Sequence, residues 1–256
     1  MLNQSWQTIK VDVSDTICRI QLYRPDENNT INDLMVDECL QVLDENRDTA
    51  CIVILEGLPE VFCFGADFKA FVAGQQTQSE HFSPEPLYAL WTALATGPFI
   101  SVAHVRGKVN AGGIGFVAAC DIVLADTGAE FSLSELLFGL VPACVMPFLV
   151  RRVGRQRAHS MAIMTKTINV DQALTWGLVD ACEPDSAGLL RKNLLRLRRI
   201  NKTTIRRYKT YMNKLDDSLE QVKSFALAAN KEVLGDQENI SKITRYVNTG
   251  KFPWES

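Results

Sequence analysis

The first part of the chain carries a pattern of alternating apolar and polar residues. It runs through residues 6–22 and is interrupted at Asp15, which predicts a hairpin of two half-exposed strands. After a polar turn, apolar residues recur at helical spacing. We expect this helix to be capped by Asn32 or Asp33 and to end near Asn46, because short polar side chains accept hydrogen bonds from the first helical N–H groups.

Beyond this helix, short apolar runs alternate with helical patterns. Unbroken apolar runs are typical of strands covered on both faces, and strand patterns lie at residues 51–56, 99–105, 122–125 and 130–133. Helical patterns lie beside them, at residues 67–73, 88–96 and 112–120. Residues 74–86 are polar and irregular, which predicts a mobile loop. This alternation of strands and helices predicts an α/β core.

The pattern changes near Ala187, after which long helical stretches replace strand candidates. We therefore divide the chain into a core, residues 1–187, and a C-terminal helical region, residues 188–256. Between Asp185 and Asp216 the chain has ten Lys and Arg residues and no acid. This basic stretch predicts a helical face that is either simply solvated or complementary to an acidic protein surface.

Composition narrows the classes of protein. An apolar fraction of 46% is ordinary for a globular protein, and a net charge of −3 gives no sign of nucleic-acid binding. The seven cysteines form no CxxC pair, which argues against a zinc site and for reduced thiols in the cytoplasm. No apolar run is long enough to span a membrane. We expect a cytoplasmic protein that needs no metal and binds neither membrane nor nucleic acid.

Two glycine turns and one carboxylate carry the candidate chemistry. The turns are Phe-Cys-Phe-Gly-Ala-Asp at residues 62–67 and Asn-Ala-Gly-Gly-Ile-Gly at residues 110–115, and Glu135 follows them. The second turn opens a predicted helix, where the first N–H groups are free and the helix dipole is positive. Two such turns can stabilise an enolate oxygen while a nearby carboxylate moves the proton.

The second turn has two other interpretations. Residues 113–118 fit the G-x-G-x-x-A pattern of dinucleotide binding. That pattern normally follows its strand through a tight turn, whereas residues 106–111 intervene here as a longer loop. Alternatively, the glycines only allow a helix and a strand to pack closely.

Taken in order, these motifs resemble the enoyl-CoA hydratase/isomerase (crotonase) family. The matching segments span most of the chain and lie at residues 24–32, 62–67, 112–121, 131–142, 152–154 and 173–180. The resemblance implies a crotonase-like ββα spiral core and a C-terminal helical trimerisation region, assembled as a homotrimer or a dimer of trimers. It also implies that the N–H groups of Ala66 and Gly112 bind a thioester oxygen, beside the catalytic Glu135. No cofactor is implied beyond the phosphopantetheine of an acyl carrier protein or of CoA.

The chain departs from the family's hydratases in two places. Those enzymes carry two catalytic glutamates, and the first of them corresponds to Gly115 here. We therefore expect an enolate mechanism with Glu135 as its one carboxylate, and extra space at Gly115 for a branched substrate. Relatives that bind CoA usually have a basic residue just after Arg24, where this chain has Asp26 and Glu27. Arg24 is left either to contact the thioester carrier or to pair with a neighbouring acid.

With these departures, the chain is most similar to one group in the family, the first hydratase-like dehydratase of polyketide β-branching cassettes. Such enzymes dehydrate 3-hydroxy-3-methylglutaryl to 3-methylglutaconyl while the acyl group is held on an acyl carrier protein. The same resemblance implies a role in antibiotic biosynthesis. The free carboxylate of this substrate needs a cation or a hydrogen-bond donor, and the candidates are Lys69, His81, Tyr88 and Asn110.

Two alternatives stay open. An enoyl-CoA isomerase or hydratase acting on a free CoA ester would use the same turns and Glu135. A catalytically inactive crotonase-fold protein would only bind acyl carriers or, through its basic helix, RNA, although the net negative charge disfavours RNA.

Overall fold

Two β-sheets organise the molecule, and this computed structural model describes it through residues 6–77 and 83–255. Within these ranges the strands are β1 (Ile9–Ser14), β2 (Ile17–Leu22), β3 (Ile52–Glu56), β4 (Val61–Cys63), β5 (Ile100–Val105), β6 (Lys108–Asn110), β7 (Ile122–Ala125), β8 (Glu130–Ser132), β9 (Ile168–Asn169) and β10 (Ala181–Cys182). The helices are α1 (Asp33–Glu45), α2 (Phe68–Thr77), α3 (Pro84–Thr96), α4 (Gly112–Ala119), α5 (Met146–Val153), α6 (Arg155–Met164), α7 (Val170–Trp176), α8 (Ser186–Leu197), α9 (Lys202–Leu215), α10 (Ser218–Gly235) and α11 (Gln237–Thr249).

From β3 to β8, consecutive strands alternate between the two sheets. The larger sheet has the order β1-β2-β3-β5-β7-β10, and the smaller has the order β4-β6-β8-β9. After the β1–β2 hairpin the larger sheet is parallel, and the smaller sheet is parallel except for β9. The pairs β3–β4, β5–β6 and β7–β8 each therefore give one strand to each sheet. The α/β core predicted from the alternation of patterns is confirmed.

The N-terminal predictions agree closely with the structure. The hairpin turns at Asp15, whose φ is 53°, and the two strands pair from Ile9 opposite Leu22. Asn32 caps α1, since its side chain accepts a hydrogen bond of 3.0 Å from the N–H of Met35. Of the two cap candidates, Asn32 is thus the correct one.

Several boundaries differ from the prediction. The segment expected to be a loop, residues 74–86, contains the end of α2 at Thr77 and the start of α3 at Pro84; residues 78–82 lie outside the described part of the chain. Ser83 and Pro84 begin α3 earlier than expected, because the Ser83 hydroxyl accepts a hydrogen bond from Glu85. The predicted loop at residues 106–111 contains the short strand β6.

The C-terminal helices pack on two parts of the core, the larger sheet and the region around α2. Leucines of α8 and Ile205 of α9 cover one face of the larger sheet and form a buried cluster with its strands. Lys209 of α9 is buried, and its Nζ lies 2.5 Å from Asp121 Oδ1 and 2.7 Å from the carbonyl oxygen of Ala95. Helix α11 packs on α2 and on the segment after β8. The helical region predicted from Ala187 onward is confirmed as helical, while its boundary and its trimerisation role stay predictions.

A buried polar cluster ties α8 to the larger sheet. His104 Nδ1 lies 2.6 Å from Glu56 Oε1, and His104 Nε2 lies 3.0 Å from the hydroxyl oxygen of Ser186. Burial alone would raise the pKa of Glu56, but hydrogen bonds from His104 and Arg19 outweigh it and lower the pKa to about 2. Glu56 is therefore held as a carboxylate in the fold.

Two further observations concern the state of the cysteines and the absence, among the described residues, of a helix that could cross a membrane. All seven cysteines are free thiols, and all but Cys182 are buried. Among the described residues no helix combines the length and the apolar character needed to cross a membrane.

Candidate active site

The two glycine turns lie side by side because of the strands that precede them. Strands β4 and β6 are parallel neighbours, so their carboxyl ends meet at one edge of the smaller sheet, and one turn follows each strand. A Cβ built on Gly65, where φ is 91°, would lie 2.8 Å from the Cβ of Ala111 and 3.4 Å from the nitrogen of Gly112. Only glycine at position 65 allows the turns to approach this closely.

Within residues 6–77 and 83–255, both turns present an N–H group that donates to no acceptor. Ala66 forms an isolated parallel bridge with Ile31, in which the neighbours of Ala66 make the hydrogen bonds, Ile31 N to Gly65 O at 2.8 Å and Asp67 N to Ile31 O at 3.0 Å. The Ala66 N–H therefore points away from the bridge. Gly112 is the first residue of α4, so its N–H has no acceptor in the preceding turn of helix. Among the hydrogen bonds of the described residues, neither group is a donor.

Ala111 holds the second turn in an uncommon backbone conformation. Its φ is 49° and its ψ is −121°, in a region that residues with a side chain rarely adopt, and strain of this kind concentrates at functional sites. The Ala111 N–H donates to the carbonyl oxygen of Ser132 at 3.0 Å. This bond anchors the turn to β8, the strand that leads to the carboxylate.

Glu135 begins a short 3-10 helix, Glu135–Phe138, just after β8. The preceding Ser134 is held by Asn110, whose amide nitrogen donates to the Ser134 hydroxyl at 3.0 Å, while the Asn110 oxygen accepts from Ser132 at 2.9 Å. Asn110 thus connects the second glycine turn to the carboxylate. Glu135 Oε2 is buried without a hydrogen-bond partner. Burial raises the pKa of Glu135 to about 7, and backbone N–H groups of Glu135 and Ser134 offset only part of this effect.

One cavity of about 580 Å³ joins these groups. Such a volume is typical of small-molecule sites. Ala66, Gly112 and Glu135 line it together, and the C-terminal helices supply part of its wall. The cavity is also lined by Asp26, Glu27, Lys69, Trp91, Asn110 and Asn230. The sequence-predicted donors and base therefore line one cavity.

Arg24 shows the second of the two arrangements that the sequence left open. Its guanidinium lies 2.8 Å from Asp67 Oδ2 and also donates to the carbonyl oxygen and hydroxyl of Thr30. Arg24 is not among the described residues that line the cavity. Asp67 in turn accepts a hydrogen bond from Ala70 N at 2.9 Å, at the start of α2. Arg24 therefore supports the turn that contains Ala66 instead of pointing at a bound carrier.

The four residues expected to bind the substrate's carboxylate lie in different surroundings. Asn110 and Lys69 line the cavity, but Lys69 is largely exposed and its Nζ lies 3.0 Å from Glu27 Oε2. His81 lies outside the described residues. The expectation for Tyr88 is wrong: the residue is 1% exposed and its hydroxyl donates to the carbonyl oxygen of Leu219 at 2.6 Å. Tyr88 lies on the buried face of α3, so its ring packs in the core.

The expected space at Gly115 is filled. A Cβ built there would lie 2.5 Å from both Cε2 and Cζ2 of Trp91, so the indole occupies the volume that a side chain would need. A Cβ at Gly113 would similarly meet the carbonyl oxygen of Cys63 at 2.4 Å. These two glycines serve close packing, as one sequence interpretation held, while Gly112 faces the cavity.

Sequence reasoning missed two residues of the site. Trp91 and Asn230 line the cavity, and the indole Nε1 of Trp91 and the Oδ1 of Asn230 are buried without partners. Trp91 lies on α3 within an apolar pattern, and Asn230 lies on α10, far from the motifs along the chain. Neither carries a local sequence signal, because only the fold brings them to the glycine turns.

The basic stretch predicted between Asp185 and Asp216 does not border the cavity among the described lining residues. Part of its charge is used inside the protein: Lys209 pairs with Asp121, and Arg206 lies 2.7 Å from Asp48. Lys202 donates to two backbone carbonyl oxygens. Some of the side chains of the predicted basic face are therefore paired within the chain, and its complementarity to an acidic protein surface stays a prediction.

Comparison with known proteins places this geometry in a family. The family model described as enoyl-CoA hydratase/isomerase matches residues 12–256. The chain is 55% identical to the bacillaene synthase dehydratase PksH of Bacillus subtilis, over 98% of each chain. The crystal structure of Bacillus subtilis PksH, described as a polyketide biosynthesis enoyl-CoA hydratase, matches with a TM-score of 0.95 and 54% identity over 97% of this chain and 100% of that one.

More distant solved structures share the same fold. An enoyl-CoA hydratase/isomerase from Xanthobacter autotrophicus has a TM-score of 0.87 at 20% identity, covering 96% of this chain and 95% of that chain. The crotonase-like architecture expected from the sequence resemblance is thereby confirmed. The chain belongs to the enoyl-CoA hydratase/isomerase family.

Proposed function

We propose that this protein is a lyase that dehydrates 3-hydroxy-3-methylglutaryl held on an acyl carrier protein to the 3-methylglutaconyl thioester during polyketide biosynthesis. The observation that carries the proposal is the single carboxylate, Glu135, facing the same cavity as the two unpaired N–H groups of Ala66 and Gly112. The similarity to the dehydratase PksH supports the reaction class and the polyketide context.

In the proposed dehydration a single group removes the C2 proton and returns it to the leaving hydroxyl. The N–H groups of Ala66 and Gly112 hold the thioester oxygen, which lowers the barrier to removing a proton from C2 because negative charge develops on that oxygen. Glu135, as a carboxylate, takes the C2 proton. The bond between C3 and its hydroxyl then breaks, the C2–C3 double bond forms, and Glu135 returns the proton to the departing hydroxyl, which leaves as water. The carboxylate is regenerated, so no second acid is required.

The charge around the cavity favours a carrier protein over free CoA. Asp26 and Glu27 line the cavity, and Lys69 is the one cationic side chain among its described lining residues. Because Lys69 is already paired with Glu27, little positive charge is left for the nucleotide phosphates of CoA, and the acids repel them. The arm of a carrier protein brings a single phosphodiester, so this repulsion is weaker than with the several phosphate charges of CoA.

The substrate's free carboxylate lies at the far end of the acyl chain. Asn110 supports its recognition, because it offers an amide nitrogen at the cavity, with one N–H already committed to Ser134. The unpartnered atom of Asn230 is its amide oxygen Oδ1, an acceptor, so it faces a donor of the substrate and not the carboxylate. A neutral amide donor suits a carboxylate that must be bound near Glu135 without neutralising Glu135 itself.

Intact-mass analysis tests the proposal. The purified protein is incubated with carrier protein loaded with 3-hydroxy-3-methylglutaryl, and in parallel with the corresponding CoA ester. We expect the loaded carrier to lose the mass of one water, faster than the CoA ester does. Turnover of the CoA ester alone, or double-bond migration without a mass change, would favour the isomerase or hydratase alternative. Binding without turnover of either would favour an inactive binding protein.

A further inference from the structure

Unpaired polar atoms are concentrated in one place. Among the described residues four buried side-chain nitrogen or oxygen atoms lack a hydrogen-bond partner, and three of them belong to Trp91, Glu135 and Asn230, which all line the same cavity. A buried donor or acceptor without a partner costs about 1–3 kcal/mol, so native proteins rarely leave one unexplained. One donor, on Trp91, and two acceptor oxygens, on Glu135 and Asn230, at one cavity are the arrangement expected of a site for a polar ligand.

Trp91 is held firmly in place within this group. It is 1% exposed, and its ring makes edge-to-face contacts with Phe116 at 5.9 Å and with Phe148 at 5.7 Å between ring centroids. The edge of the indole next to Nε1 lies where a Cβ of Gly115 would be. The ring carbon Cζ2 also lies 3.9 Å from a Cβ built on Gly112. The indole therefore fills the space beside Gly115 and reaches the start of the oxyanion turn at Gly112.

We propose that the indole N–H of Trp91 donates a hydrogen bond to the C3 hydroxyl of the substrate, and that Gly115 is required to make room for this ring. The inference rests on the proposed function, which supplies the hydroxyl. Nε1 has no partner in the described part of the chain, it belongs to a rigid ring that lines the cavity, and an indole N–H can only donate. The donor orients the hydroxyl toward Glu135 and stabilises the charge that develops on its oxygen as the C–O bond breaks.

The indole does not exchange protons in this step. Glu135 carries the proton from C2 to the leaving hydroxyl, so the atom balance of the dehydration is unchanged, and Trp91 contributes a fixed hydrogen bond in place of a second carboxylate. A neutral donor at this position also leaves Glu135 without a like charge close to it, which two carboxylates in one site would create.

Two unreactive ligands test the contact directly. Both are pantetheine derivatives in which the thioester sulfur is replaced by nitrogen, giving an amide that keeps the carbonyl oxygen but whose C2 protons are too weakly acidic for the elimination. One carries 3-hydroxy-3-methylglutaryl and the other carries 3-methylglutaryl, which lacks the hydroxyl. The indole N–H resonances of the ¹⁵N-labelled protein are recorded with each, and Trp91→Phe identifies the Trp91 signal by its loss. We expect the hydroxylated ligand, but not the deoxy ligand, to shift the Trp91 resonance and to protect it from solvent exchange.

Binding constants give a second measurement. The wild type is expected to prefer the hydroxylated ligand by roughly two- to tenfold, the range that corresponds to one hydrogen bond. Trp91→Phe should lose the preference, and Gly115→Ala should lose it too, because its Cβ displaces the indole. Trp176→Phe is the matched control for the ring change. Gly235→Ala is the matched control for a helical glycine, since a Cβ there meets nothing within 4 Å, and both controls should keep the preference.

The outcomes separate the two proposals. In one outcome the wild type dehydrates the loaded carrier, while both ligands shift the Trp91 resonance equally or neither shifts it. In that case the indole N–H faces only the neighbouring aromatic rings. The Trp91 inference is then overturned, while the proposed function stands. If the wild type neither dehydrates the carrier nor binds the hydroxylated ligand, the proposed function fails first and the inference fails with it.

Discussion

Glu135 is desolvated, which disfavours its charged form, yet the proposed reaction requires the carboxylate. Its pKa is about 7 in the folded protein against an ordinary value of 4.5, and burial is the main cause. Between these two values the native state binds more protons than the unfolded state, so the free energy of unfolding falls as pH rises through this range. Above about pH 7 the penalty is complete, and below 4.5 it is absent.

The first expected outcome concerns stability. Glu135→Gln removes the charge and keeps most of the shape, so the variant should be more stable than the wild type above pH 7 and nearly equal to it below pH 4.5. Urea unfolding at both pH values measures the difference. A variant that is less stable than the wild type at the higher pH would show that Glu135 is not desolvated as described.

The second outcome concerns the pH dependence of the rate. Only the carboxylate form of Glu135 accepts the C2 proton, so kcat/KM should rise with pH and level off above a midpoint near 7. Initial rates on loaded carrier protein across this range measure the midpoint. A rate that is already at its plateau near pH 5 would mean that the catalytic carboxyl has an ordinary pKa. It would contradict the conclusion that burial raises the pKa of Glu135.

At the residue scale, the sequence predicted what local motifs encode. Ala66, Gly112 and Glu135 lie in or directly after recognisable turns and strands, and the structure brings all three to one cavity. Trp91 and Asn230 could not be predicted, because their part in the site depends on packing between helices that are distant along the chain. The same limit explains why the space expected at Gly115 is instead filled by Trp91.

At the scale of elements, the Ala66 turn depends on a buried ion pair. Arg24 and Asp67 join the polar turn after β2 to the start of α2, with side chains only 15% and 7% exposed. Breaking such a pair leaves one charge buried and unpaired. Lys69 and Glu27 span nearly the same two segments, but the Lys69 side chain is 69% exposed, which makes it a matched control.

We therefore expect Arg24→Met to lower the free energy of unfolding by roughly 3 kcal/mol and Lys69→Met to lower it by about 0–1 kcal/mol. Arg24→Met should also slow dehydration, because the N–H of Ala66 loses its fixed direction. Urea denaturation and rates on loaded carrier measure both effects. Equal changes in stability for the two variants would mean that the Arg24 pair is not what holds the turn.

Among the elements, length decided most of what could be predicted. The helices α1 to α4 and the strands β1, β2, β3, β5 and β7 carry a pattern over at least four residues and were predicted. Strand β8 was predicted too, within residues 130–133, although it has only three residues. The strands β4, β6, β9 and β10 have two or three residues each, too few for any periodicity, and they form only because neighbouring strands offer hydrogen bonds. Since β4 and β6 carry the glycine turns, the placement of the site depends on them.

At the scale of the whole molecule, the C-terminal helices leave apolar side chains in solvent. Tyr208, Tyr211, Leu215 and Phe225 of α9 and α10 are each at least 60% exposed, and exposed apolar groups of this kind mark contact surfaces. The expected homotrimer or dimer of trimers stays a prediction that this surface supports.

Phe225→Asp tests the expected assembly. A charge at a buried subunit contact should shift the protein from three or six chains to one, whereas Val13→Asp, at another exposed apolar side chain on the N-terminal hairpin, should leave the assembly unchanged. Size-exclusion chromatography with light scattering measures the mass. A wild type that runs as a single chain, or a Phe225→Asp variant that stays assembled, would contradict trimerisation through this surface.

The central claim is that one carboxylate, Glu135, performs the dehydration beside two backbone N–H donors. It is tested most directly by the intact mass of 3-hydroxy-3-methylglutaryl-loaded carrier protein after reaction with the wild type and with Glu135→Gln, each first shown to be folded and equally assembled. The account predicts loss of one water with the wild type and a rate lower by roughly 10²–10⁴-fold with the variant. Unchanged water loss by Glu135→Gln would contradict it.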